Sequence, residues 1–136
     1  MPASVMQDIL VHVRAVAPTL TYVGGYLPED PDTVVAIMAP DPGLENLDTM
    51  GVSIGTITIE RPIIQIRSRG TQNEFLTAND NAWIVYRAIN NTINATINGT
   101  LYLMIEAVQT PYTLGADENG RWVVGFSIQI HKEPNV

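Results

Sequence analysis

The chain has 136 residues, no cysteine, and seven basic against fourteen acidic side chains, for a formal charge of −7. One domain of this size buries roughly 68–70% of its unfolded surface, so packing must supply the stability that a disulfide framework or thiolate metal site would otherwise give. The acidity opposes binding to nucleic-acid phosphates, no segment approaches the ~20 apolar residues of a membrane span, and the N-terminus does not read as a signal peptide, so a soluble protein assembled inside the cell is expected.

Ser4 and Gln7 resemble a capping box, and Val5, Ile9, Val13 and Val16 fall near one helical face. This predicts a helix over Ser4 to Ala17, ending before Pro18. Thr19 to Tyr26 reads as a short extended piece or a connection around Gly24-Gly25, and Leu27 to Asp32 as a turn segment whose prolines bias their predecessors away from helix. Thr33 to Ala39 reads as a strand. Pro40 to Gly55 is an irregular loop with isolated apolar residues, and loops of that length often carry function. Thr56 to Ile59 alternates polar and apolar residues and leads past Glu60-Arg61-Pro62 into a strand over Arg61 to Arg69, which Gly70 is expected to stop.

Thr71 then offers its hydroxyl to the Glu74 amide, and the Glu74 carboxylate can reach back, as in a capping box. Phe75, Ala78, Ala82, Val85, Tyr86, Ile89, Ile93 and Ile97 recur at helical spacing, which predicts one long amphipathic helix fading at Asn98-Gly99. Thr100 to Gln109 reads as a strand with apolar residues on both faces. Pro111 to Gly120 is a connector that reverses at Asn119-Gly120. From Arg121 to Lys132 the alternation is cleanest, with Trp122, Val124, Phe126, Ile128 and Ile130 on a buried face. The expected fold is α+β: a single domain over 1–136 whose mainly antiparallel sheet is packed on one face by two helices.

Catalytic and ligand motifs are scarce. His12 and His131 stand in no HExxH or HxH pattern, and His12, four residues after Asp8, allows a surface Asp–His pair without an accompanying nucleophile. Asp30-Pro31-Asp32 and Asp117-Glu118-Asn119 lack EF-hand spacing and read as solvated turns. The glycines form no phosphate-binding loop, and three Asn-X-Thr triplets near the helix end read as chance without a secretion signal. Trp83 and Tyr86 read as packing rather than a base-stacking platform. No enzyme, cofactor or metal is expected. Arg61, Arg67 and Arg69 form the only basic cluster and share one strand face, which reads as solvated or subunit-facing, with an anion or nucleic-acid contact as the alternative that the overall acidity disfavours. With 15% charged and 46% hydrophobic residues, part of the surface is expected to meet another subunit.

Three blocks in order carry a family resemblance: Leu27 to Asp32 followed by Thr33 to Ile37, Pro62 to Gly70 entering the long helix, and Pro111 to Arg121 entering the last strand. Spanning nearly the whole chain, they resemble the phage neck and tail proteins of the minor capsid and tail-terminator group. The resemblance implies a tail-terminator-like fold, no catalytic residues, and a virion subunit assembled in the host cytoplasm. It further implies a homo-oligomeric ring, hexameric in that group, which caps the tail-tube protein, faces the head-tail connector proteins and lets viral DNA pass through its lumen. The −7 charge would keep such a lumen from holding phosphates. A head-completion or connector-stopper protein is the viral alternative; the non-viral one is a ligand-binding domain with a pocket between the long helix and the sheet near Trp83 and Trp122. Candidate subunit-contact residues are Arg61, Arg67 and Arg69 on the strand, with Asp41, Leu44, Leu47 and Met50 on the loop.

Overall fold

The strand with the cleanest alternation is the one on which the sheet is built. The computed structural model describes residues 5–38 and 59–133. Its elements run α1 (Val5–Val16), β1 (Tyr22–Gly24), β2 (Val34–Met38), β3 (Ile63–Gln72), α2 (Phe75–Ile89), β4 (Thr92–Ile97), β5 (Thr100–Ala107), β6 (Tyr112–Ala116) and β7 (Arg121–Lys132). Strand β7 pairs antiparallel with β3 on one edge; on the other it meets β5 along its C-terminal half and β6 along its N-terminal half. The sheet order is β1-β2-β3-β7-β5-β4, with β6 beside β7, and β1 runs parallel to β2.

Both helices cover the same face. Ile9 and Val13 of α1 and Val85 and Ile89 of α2 share a core with Val35, Ile37, Ile64, Ile66, Phe126, Ile128 and Ile130. Burying each such side chain contributes about 1.5–3 kcal/mol, which is how this cysteine-free domain is held. Gly70 lies where α2 touches β3: a Cβ there would stand 2.5 Å from the Glu74 carbonyl oxygen. It is therefore a contact residue within β3 and not the end of the strand.

The expected capping box is absent because Thr71 still belongs to β3; Glu74 takes the N-cap position and makes no side-chain cap bond. The helix also ends at Ile89, short of the expected Asn98. Asn90 adopts an extended conformation and Asn91 a positive φ of 63°, while the Thr92 hydroxyl donates to the Ile89 carbonyl at 2.8 Å. The residues expected to extend the helix form β4 instead. Their β-branched run pairs with β5 across Asn98-Gly99, whose φ values of 50° and 80° are those of a tight hairpin turn. Ile93, expected in the apolar stripe, is accordingly 63% exposed.

Two further expectations change for local reasons. The connector over Pro111 to Gly120 contains β6, because the half of β7 beyond the end of β5 offers a free edge. The alternation of β5 breaks at a register shift between Tyr102 and Met104, so the inward residues are Tyr102 and Ile105, of opposite parity. The alternation of β7 and the strand over Val34–Met38 form as expected.

Candidate functional site

Strand periodicity sends Arg69 of β3 and Arg121 of β7 to the sheet face opposite the helices. There they hold down the connection between β1 and β2. Arg69 donates to the backbone carbonyls of Asp32 and Pro31, both at 2.9 Å, and to that of Pro28. Arg121 donates to the Asp117 carboxylate at 2.8 Å, the Glu29 carbonyl at 2.9 Å and the Asp32 carboxylate at 3.0 Å. The Asp117 carboxylate also accepts from the amides of Asn119 and Arg121, each at 2.9 Å, which fixes the turn into β7. Those backbone bonds, with the Arg121 guanidinium, hold its pKa below the ordinary carboxylate value. For Arg69, burial first and the neighbouring Arg121 charge next push the pKa down.

The two acidic turns that read separately as solvated are thus joined through one arginine. Two shallow clefts open over this latch, lined chiefly by Leu27, Glu29, Asp30, Asp32, Glu118 and Asn119 above the two guanidiniums. The carboxylates face arginine nitrogens, and among the described residues no group of three or more His, Cys, Asp or Glu could hold a metal ion. The arrangement fixes an acidic surface in one shape.

The sequence-predicted contact residues separate. Arg69 is 3% exposed, with its guanidinium engaged inside the subunit, so it is a fold residue rather than a surface for a neighbour. Arg67 is half-buried on the same sheet face and donates to Gln65 at 3.1 Å. Arg61 is half-buried, and its carbonyl accepts from Gln129 at 3.0 Å. Asp41, Leu44, Leu47 and Met50 lie outside the described residues. The Asp8–His12 surface pair is not formed: Asp8 is 1% exposed and accepts from Asn98 at 2.8 Å and from the Tyr102 hydroxyl. The two tryptophans pack against different partners. Trp122 meets Phe75 edge-on at 5.8 Å, while Trp83 packs against Tyr86 at 5.2 Å and lines an open depression with Asn79, Asp80, Ile84 and Arg87.

With an α+β domain whose polar clusters are structural, relatives decide the class. The sequence profile of the bacteriophage tail terminator protein family matches residues 5–134. The chain belongs to this family. It is a structural protein of the phage neck and a component of the virion. No curated protein sequence matches it. A chain from the virion of a native gene transfer agent particle has the same fold, with a TM-score of 0.66 at 12% identity over 96% of each chain. Members of a tail terminator family are structural proteins, and the latch geometry, which joins loops through arginine contacts to carbonyls and carboxylates, fits that class.

Proposed function

We propose that this tail terminator closes into a ring, hexameric as the family resemblance implies, which caps the tail tube at its head-proximal end and presents a surface to the head-tail connector. The family match over residues 5–134 carries this reading. It gains support from three strands, β1, β4 and β6, that each pair on one side only among the described residues, since open edges and their flanking loops suit contacts between subunits. Arg61 and Arg67, with Asp41, Leu44, Leu47 and Met50 of the loop, are the proposed additional contacts, and DNA would pass a lumen whose acidity prevents sticking. Assembly in the host cytoplasm fits this role.

Light scattering and electron microscopy of the purified chain, alone and with tail-tube protein, test the proposal. The expected result is a closed ring seated on the end of the tube. A monomer at every concentration and with the tube present would overturn it, and a ring bound to the portal side without contact to the tube would favour a connector-stopper.

A further inference from the structure

We infer that the outer face of α1 is one half of the contact between neighbouring copies, and that it receives the acidic latch of the next copy. This rests on the ring reading, because a ring needs two different faces of one subunit to be complementary.

The first face is unusual for so acidic a chain. Between Asp8 and Glu29 there is no carboxylate, although the chain carries fourteen. On this stretch Val11, Val16 and Tyr26 are 45%, 43% and 61% exposed. Arg14 is exposed among them, and within the described residues it donates to a backbone carbonyl, that of Tyr22 at 3.3 Å. This stretch of α1 and the segment after it thus expose apolar side chains and one arginine and carry no carboxylate of their own.

The second face is the latch. Glu29, Asp30 and Glu118 are exposed there; Arg69 and Arg121 fix the β1–β2 connection that carries the first two, and Arg121 with Asp117 ties it to the turn that carries the third. The latch lies across the sheet from α1, which packs on the helix-covered side. A surface already held in one shape loses little entropy on docking. Two copies each bearing −7 repel, so the favoured approach is one that keeps carboxylates apart. Placing latch against latch opposes like charges, and placing α1 against α1 opposes two arginines and closes at a dimer. Of the three pairings of these two faces, latch against α1 puts opposite charges together and leaves a free copy of each face to continue the ring.

The chain has no cysteine, so introduced thiols report the contact directly. In the full chain, Arg14→Cys combined with Glu118→Cys is expected to give an oxidation ladder of covalently joined copies, whereas each single variant stops at a dimer. Arg14→Glu is expected to weaken association by about tenfold or more, as adding like charge to an interface does. Adding Asp30→Lys and Glu118→Lys to it should restore assembly, a rescue that general misfolding would not give; circular dichroism checks the fold of each variant. A wild-type chain that forms rings while the double-cysteine variant gives no ladder and Arg14→Glu assembles normally would overturn the inference and leave the ring reading standing. A variant that closes into rings but no longer caps tail tubes would assign the α1 face to the tube protein and also overturn it. A monomeric wild type would instead remove the ring reading itself.

Discussion

Single residues carry much of the precision of this fold. Gly70 has no room for a methyl group beside the Glu74 carbonyl, so Gly70→Ala is expected to cost about 1–3 kcal/mol, read by chemical denaturation. Tyr102→Phe removes the hydroxyl that donates to the buried Asp8 carboxylate and should cost about 1–3 kcal/mol by the same measurement. Burial raises the pKa of Tyr22 to about 12 and, with the Asp8 hydrogen bond, drives that of Tyr102 higher. A phenol whose pKa is higher folded than unfolded favours the fold only while protonated. Stability from both tyrosines is therefore complete below the ordinary value of 10.0 and declines as pH rises above it. Ultraviolet titration should show Tyr22 and Tyr102 ionising above the ordinary value, Tyr102 later than Tyr22. Asp117 has the opposite sign: its folded pKa is depressed, so its contribution is present at neutral pH, starts to fall near 3.8 and is gone below the folded value. Proteolysis at the connection between β1 and β2 should accelerate in that acidic range, and Arg121→Gln should produce the same sensitivity at neutral pH.

At the scale of elements, the hairpin of β4 and β5 explains why sequence periodicity misled. Ile89, Ile93 and Ile97 keep helical spacing, yet Thr92 to Ile97 is equally a β-branched run before Asn-Gly. The pair of asparagines at 90 and 91 decides between them, because Asn91 accepts the positive φ that ends a helix and the Asn90 side chain accepts from the Ala107 amide across the hairpin at 2.8 Å. The turn also ties separate elements together, since Asn98 donates to Asp8 of α1. Gly99→Ala is expected to destabilise by about 1–2 kcal/mol, the cost of a left-handed residue with a Cβ, measured by thermal unfolding. Strands β2 and β7 were legible because uninterrupted apolar or alternating residues leave one reading. Strand β6 was not, because Tyr112–Ala116 is exposed nearly throughout and becomes a strand only where β5 leaves the edge of β7 free.

For the whole molecule, charge placement matters more than charge total. Of the seven basic side chains, Arg69, Arg121 and Lys132 are buried and engaged within the subunit, Lys132 with Glu60 at 3.3 Å. Of the remaining arginines, Arg61 and Arg67 are half-buried, and Arg14 and Arg87 are exposed, Arg14 donating to the Tyr22 carbonyl and Arg87 lying over the Trp83 ring. Salt screens both the attraction at Arg14 and the repulsion between copies that each bear −7, so the contribution of the Arg14 contact is expected as a loss of affinity with rising salt in the wild type relative to Arg14→Gln. Sedimentation of both across a salt series checks this, and a difference insensitive to salt would point to apolar contacts alone.

The sequence by itself determined the α+β class, the mainly antiparallel sheet with helices on one face, the core face of β7 and the likeness to tail terminators, since each follows from local periodicity or from residue order along the chain. Tertiary structure alone decided that α2 stops at Ile89, that β6 exists, and that Arg69 and Arg121 clamp two acidic turns into one surface. Those outcomes depend on partners distant in sequence: a free strand edge, an asparagine reaching across a hairpin, a guanidinium meeting carbonyls from another loop. The members of these pairs stand from 17 to 92 residues apart, beyond the three- and four-residue spacings that periodicity compares.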